Sequence, residues 1–371
     1  MKIDYLTWYK NLERTLHNAP VSFQLQSSAI AEPIELLVKD LESFAENFET
    51  LIKVPNSWGY PELIENIANR YGFSPENILP TNGASNGIYL TCRALLKPGD
   101  RVIIESPVYE PLVATPDFIG TNIDILKRRP FEYAIDPDEL ADKIDSATKL
   151  VIISNLHNPS GAFIDNDHLL DLLEAAKNQN PHIKILVDEI YRDCVPDSGR
   201  PAAALDDAFI SLNSLTKVYG LGALHCGWII ADSETIDGIR RLQVLVEGSG
   251  ARFNEAFAAC VIENLDKYLN RSLEILSQNR AIVKQLIEPL IKSNIIRGQI
   301  PAHGCVYLPK IEGIADSEPL VSHLANKHNL FVVPGRFFGE PSHIRIGFGG
   351  ETSNLERSLR IFAEAIIEYM K

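Results

Sequence analysis

The 371-residue sequence has no C-x-x-C pair, no internal repeat and no excess of positive charge. It also has no apolar run near the ~20 residues that span a bilayer. Its five cysteines (Cys92, Cys194, Cys226, Cys260, Cys305) are odd in number and scattered, which argues against a disulfide framework or a zinc site. The start, MKIDYLTWYK, lacks the basic opening and apolar centre of a signal peptide, so a cytoplasmic protein is expected. With 35 Lys+Arg against 49 Asp+Glu the formal net charge is −14, and an acidic surface repels polyphosphates. A general nucleic-acid binder is therefore excluded, and no membrane partner is expected.

What is present is alternation. Short β-branched runs occur at 101–105, 122–126, 150–154, 183–188, 209–212 and 227–231, with helical patterns between them at 85–96, 137–144 and 168–177. Most of the runs are apolar on both faces, as strands buried between helix layers are. The pattern predicts an α/β fold with a doubly wound, mainly parallel sheet. After about residue 235 long helical stretches dominate, followed by short strands at 305–308 and 343–348 and a final helix. Ser353 and Glu356 stand there in capping-box spacing. The expected organisation is an N-terminal segment (1–50) packing on a small domain or covering a cleft, a large domain (51–240) and a smaller α+β domain (241–371).

In an open α/β sheet the chemistry lies beyond the carboxyl ends of the strands. Four segments fall there. Thr81-Asn82-Gly83-Ala84-Ser85-Asn86 enters a helix, where free N–H groups and the helix dipole suit a phosphate, although many helices open with Gly and Ser as plain caps. Asn155-Leu156-His157-Asn158-Pro159-Ser160-Gly161 follows an apolar strand and offers a rigid amide, or simply a turn. Leu186-Val187-Asp188-Glu189-Ile190-Tyr191 ends a buried strand in a carboxylate that needs a cationic partner; a structural ion pair would serve equally. Ser214-Leu215-Thr216-Lys217 offers a lysine that, shielded from water, becomes an amine nucleophile for carbonyls. His157, His225 and His303 are too dispersed for a metal site and read as packing or surface residues. Gly220-Leu221-Gly222 lacks the third glycine of a nicotinamide fingerprint.

The order and spacing of these segments resemble the fold-type I pyridoxal 5'-phosphate (PLP) enzymes of the class I/II aminotransferase superfamily, from about Pro55 to Arg345. The resemblance implies that Lys217 forms the Schiff base with PLP and that Asp188 holds the pyridine nitrogen protonated. It implies that Tyr191 and Asn158 bind the phenolic oxygen, and that Gly83, Ala84, Ser85, Ser214 and Thr216 bind the phosphate. Tyr109 matches the aromatic that stacks on the ring, and Arg345 the clamp on the substrate carboxylate. Two positions depart from the pattern. His225 stands where the family usually has a phosphate-binding arginine. Val54 stands where a tyrosine is often lent to the partner subunit, with Tyr60 or Asn56 as substitutes.

The implied reaction is transamination of a free L-amino acid. An external aldimine forms, Lys217 takes the α-proton, and a 2-oxo acid and pyridoxamine phosphate result. Asn158-Pro159-Ser160-Gly161 and Val333-Pro334-Gly335-Arg336-Phe337-Phe338-Gly339 also resemble the capreomycidine-synthase-like PLP cyclases, which eliminate water from a hydroxylated arginine and close a guanidine ring. Asp4, Glu13 and Glu32 would suit a guanidinium, or form a solvated face. A non-catalytic PLP-binding sensor is the third reading, but no stretch reads as a basic DNA-binding helix. By resemblance the protein is expected to be a homodimer.

Overall fold

A computed structural model describes residues 3–17, 22–196 and 199–371. Its centre is a seven-stranded sheet, built in chain order from β1 (Ile78–Thr81), β2 (Arg101–Ser106), β3 (Asn122–Lys127), β4 (Thr148–Ser154), β5 (Lys184–Asp188), β6 (Phe209–Ser214) and β7 (Gly227–Ile230). The spatial order is β1-β7-β6-β5-β4-β2-β3, and only β7 runs against its neighbours. This bears out the expected α/β class.

Side-chain alternation explains why the interior strands read as continuous apolar runs. Val102, Ile104, Ile152, Leu186 and Ile210 pack into one helix layer, while Ile103, Val151, Ile153, Ile185 and Val187 pack into the other. The strand that the patterning does not reveal is β1, which has four residues with Pro80 among them. It lies at the sheet edge, where a missing backbone N–H is tolerated.

The register gathers the chemistry-bearing segments along one rim. Ser154 pairs with Asp188, Asp188 with Leu212, Ser214 with Gly227, and Thr81 with Gly227. Beyond the rim, α2 (Gly83–Leu95) follows β1 and α3 (Glu110–Ile119) follows β2.

The C-terminal part carries a small antiparallel sheet whose centre is β10 (Ile344–Gly347), flanked by β8 (Val306–Tyr307) and β9 (Val333–Pro334). It ends in a helix over Thr352–Tyr369, which begins without a side-chain cap. The expected capping box is therefore not formed: Ser353 lies inside the first turn, and Glu356 pairs with Arg360 one turn on.

The N-terminal segment joins this sheet before it reaches the rim. Phe23–Gln24 pairs in parallel with Leu330–Phe331, and residues 25–31 run tightly along β10. Gly347 N–H donates to Leu25 O at 2.6 Å, and a Cβ on Gly347 would lie 1.6 Å from Ser27 O. Only glycine permits this approach. Helix α1 (Asp4–His17) covers the cleft, pressing Tyr5 against Phe337 and Phe338 and Trp8 against Phe337, with Tyr9 packed on Tyr5 and Trp8. Among the described residues no helix is long and apolar enough to cross a membrane.

Candidate active site

Lys217 leaves β6 three residues after Ser214, on a loop pinned by Ile30 N–H donating to Lys217 O at 3.0 Å. Its Nζ donates to Ser28 Oγ at 3.2 Å. Burial, and next the Arg345 charge, bring the ammonium down to about 8 from the usual 10.5. A substantial fraction of the amine is thus neutral near pH 8, the form that attacks carbonyls and takes protons.

Asp188, at the end of β5, is buried, accepts Ile190 N–H at 3.3 Å and has no ion-pair partner among the described residues. Desolvation raises it to about 7. A buried carboxylate in this state is completed by a cationic ring nitrogen placed against it. Tyr191 points its hydroxyl at Ser28 O, 2.6 Å away. Ser28 therefore meets both Lys217 and Tyr191, and Cys305 Sγ lies 3.6 Å from the same carbonyl.

Arg345 is wholly buried in the central strand β10. Its Nη1 donates to Asn158 Oδ1 at 3.2 Å, and its Nη2 donates to Tyr5 Oη at 3.0 Å and to Gln26 O at 2.9 Å. Its Nε is buried without a partner. The guanidinium also lies 5.2 Å from the Phe338 ring centroid and 5.5 Å from that of Tyr5. A donor set left open in an apolar pocket is what a carboxylate ligand completes.

At the other end of the rim Gly83 opens α2 with φ +72°, and a Cβ there would lie 3.2 Å from His225 Nε2. A Cβ on Gly227 would lie 2.8–2.9 Å from Gly83 C and Ala84 N, so glycines permit a narrow cradle of backbone N–H groups. Ser85 and His225 are exposed at this end, and Thr216 is half-buried. Ser214 is buried, and its Oγ accepts Thr216 N–H at 3.3 Å. Together the cradle, Asp188 and Lys217 fit a phosphate, a pyridine nitrogen and an aldehyde carbon.

Tyr109 immediately precedes α3 and meets Tyr5 edge-on, with ring centroids 6.0 Å apart. Of the substitutes suggested for the departure at Val54, Tyr60 is buried and donates to Leu51 O at 3.1 Å, while Asn56 donates to Gly250 O at 3.3 Å.

The structure brings together residues that the motifs do not announce. Tyr5, Gln26 and Ser28 come from the N-terminal segment, and no motif surrounds them. Glu110 follows Tyr109 directly, and its carboxylate accepts the N–H groups of Tyr5 and Leu6, each at 2.9 Å, anchoring the start of α1. Glu247 accepts from Asn82 and Asn86 at 3.2 and 2.6 Å, placing a carboxylate beside the start of α2. No group of three His, Cys, Asp or Glu among the described residues is arranged to hold a metal.

This rim of a backbone N–H cradle, a buried acid, a shielded amine and a buried guanidinium defines a class, and residues 24–362 match the family model "Aminotransferase class I and II". The chain belongs to that family, whose cofactor is PLP. It is 30% identical to capreomycidine synthase of Streptomyces vinaceus over 294 residues, 78% of this chain and 74% of the relative. It is 26% identical to an aspartate aminotransferase of Pyrococcus horikoshii over 327 residues, 84% of this chain and 82% of the relative. Among solved structures, a PLP-dependent aminotransferase from Streptococcus suis is similar over 100% of both chains, with a TM-score of 0.89 at 26% identity. These findings bear out the expected family and fold.

Proposed function

We propose that this protein is a PLP-dependent aminotransferase acting on a free L-amino acid, with Lys217 as the Schiff-base lysine and proton-transfer group. The observation that carries the reading is the strand register, which sets Ser154, Asp188 and Ser214, three residues before Lys217, along one rim whose Asn158 meets the buried Arg345, with the lysine brought down to about 8 and the carboxyl raised to about 7. When bound, PLP supplies an electrophilic carbon and an electron sink for charge left on the substrate α-carbon.

The protein's own groups do the rest. Arg345 holds the substrate carboxylate, fixing which face of the α-carbon is presented to Lys217. The Lys217 amine takes the α-proton and returns it, as general base and then general acid. Asp188 keeps a positive charge on the ring nitrogen, and Tyr191 and Asn158 offer hydrogen bonds to the phenolic oxygen. Gly83, Ala84, Ser85, Ser214, Thr216 and His225 hold the phosphate, and Tyr109 packs on the ring. Helix α1 shields these groups from water. A homodimer accompanies this reading, supported by the exposed side chains of Trp58, Leu245, Val246 and Phe253.

The likeness to capreomycidine synthase favours a second reading: elimination of water from a hydroxylated arginine-type amino acid, followed by ring closure. It starts from the same α-proton removal and uses the same residues.

The test is to follow the cofactor spectrum of the purified protein while single amino acids, hydroxyarginine included, are added without an oxo-acid acceptor. One equivalent of 2-oxo acid with stable pyridoxamine phosphate supports transamination. Repeated turnover with the original spectrum restored supports elimination or cyclisation. Full turnover by Lys217→Ala would overturn both.

A further inference from the structure

His157 is wholly buried between the two loops that carry Tyr109 and Asn158, and both of its ring nitrogens are engaged. Nε2 lies 2.8 Å from Pro107 O, and Nδ1 lies 2.6 Å from Ser160 Oγ. A carbonyl only accepts, so the proton resides on Nε2, and Nδ1 accepts from the Ser160 hydroxyl. Burial, and next the Arg128 charge, push the imidazole well below its usual pKa, so this tautomer persists through the neutral range.

We propose that His157 is a positioning residue that sets Tyr109 and Asn158 relative to each other, and through them the cofactor ring and Arg345. The ties form a closed circuit. His157 holds Pro107, two residues before Tyr109. Next in the chain, Glu110 holds the start of α1. Tyr5 on that helix meets Arg345, Arg345 meets Asn158, and Asn158 is the residue after His157.

On the other side His157 closes the turn that presents Asn158. Gly161 N–H donates to His157 O at 2.6 Å, His157 N–H donates to Ala162 O at 2.8 Å, and Ser160 Oγ accepts Ala162 N–H at 3.2 Å. Beneath the ring lies a rigid floor. Glu105 accepts from Arg128 Nε at 2.7 Å and from Ser154 N and Oγ at 2.8 and 2.5 Å, while Arg128 also donates to Tyr133 O and Ser154 O at 2.7 and 2.8 Å. Glu105 Oε1 lies 3.9 Å from His157 Nε2, and the Tyr133 ring packs at a tilt with its centroid 5.7 Å away. With both nitrogens spent on protein, His157 transfers no proton to substrate. Its contribution is geometric, and a displacement of about 1 Å at such a site costs on the order of a hundredfold in rate.

The inference rests on the PLP reading above, and isosteres test it. His157→Gln can place an amide N–H at the Nε2 position and keep the tie to Pro107. His157→Asn reaches only the Nδ1 position and loses that tie. In the holoenzyme we expect His157→Asn and His157→Ala to lower kcat at least tenfold with KM changed less than about threefold, and to move the pH midpoint of the visible cofactor band by half a unit or more. His157→Gln should restore kcat to within about fivefold of the native protein.

If Asn and Ala variants lose only thermal stability, with band, midpoint and kcat unchanged, His157 is a packing residue and the proposal is overturned. It is equally overturned if Gln is as damaging as Asn. Should His157→Ala fail to fold, the Gln and Asn pair decides alone. A native protein with no visible cofactor band would instead overturn the PLP reading.

Discussion

Tyr5 and Arg345, 340 residues apart in the chain, meet through a 3.0 Å hydrogen bond in which the guanidinium Nη2 donates to the phenolic oxygen. Nη2 has two N–H groups, and the second goes to Gln26 O. A substrate carboxylate that binds Arg345 through two parallel bonds must therefore displace one Nη2 acceptor, whether its other bond comes from Nη1 or from Nε, which has no partner among the described residues.

Replacing Tyr5 by Phe frees one donor while keeping the ring packed against Phe337, Phe338 and Tyr109. The expected result is a KM for the amino acid reduced by about threefold to tenfold, the worth of roughly one ordinary hydrogen bond. Steady-state kinetics on Tyr5→Phe check this; a raised KM would mean that the hydroxyl assists substrate binding.

The Glu110 carboxylate satisfies the Tyr5 and Leu6 N–H groups in the first turn of α1. Glu110→Ala removes a cap worth about 1 kcal/mol, so the helix should open more often while the sheet is untouched. Hydrogen exchange should quicken about fivefold over residues 5–12 and stay unchanged in β2 to β6. Equal loss of protection everywhere would show that α1 is integral to the global fold.

Asp188 and Lys217 impose a characteristic pH dependence on the protein freed of cofactor. Asp188 titrates near 7 when folded against 3.8 in the free side chain, so the folded state binds more protons between those values and stability falls as pH rises through them. Lys217 titrates near 8 when folded against 10.5 in the free side chain, so the unfolded state binds more protons there and stability rises again above pH 8. The two contributions together dip between pH 7 and 8. Urea unfolding at pH 5, 7.5 and 9.5 should show Asp188→Asn removing the acid-side fall and raising stability at pH 7.5 by about 1 kcal/mol or more. An unchanged slope in that variant would refute the assignment.

His225 reaches the opening of α2 from an exposed position, so its loss should be felt by the cofactor and not by the fold. His225→Ala is expected to weaken PLP binding by about threefold to tenfold, as for one solvent-exposed hydrogen bond, with the melting temperature of the cofactor-free protein unchanged. Equilibrium dialysis of PLP against both proteins measures it; equal affinity would remove His225 from the phosphate ligands.

Six of the seven central strands were legible, the interior ones because burial on both faces writes itself as runs rich in Val, Ile and Leu, as in Leu150-Val151-Ile152-Ile153, and the edge strand β3 through Ile123, Ile125 and Leu126 despite its exposure. The segments carrying Lys217, Asp188 and Asn158 were legible because each follows such a strand directly. Tyr5, Gln26 and Ser28 were not. Their place depends on a backbone threaded beside Gly347, and nothing local distinguishes Ser28 from Ser27. Gln26 acts on Arg345 through its carbonyl, a group every residue possesses. His157 was visible inside its motif with Ser160 three residues on, but Pro107 becomes its neighbour only when two crossover connections end on the same rim. The misread capping box at Ser353 has a similar origin, since the spacing was right but the helix begins at Thr352.

The threading of residues 25–31 against β10 also bears on how the molecule is made. Tyr5, Gln26 and Ser28 leave the ribosome early, whereas Arg345 and Gly347 emerge hundreds of residues later. The sheet from β1 to β7 has all its strands by residue 230 and can begin to form during synthesis, domain-wise from the N-terminal side. The cluster of Tyr5, Gln26 and Arg345 cannot, because its early half must wait, unpartnered, for strand β10 to be synthesised. The nascent chain thus passes through a stage in which Lys217 and Asp188 already stand on a nearly finished sheet while the amino-acid site does not yet exist. On the proposed function, the order of translation completes the rim that would hold the cofactor before the cluster that would hold the substrate.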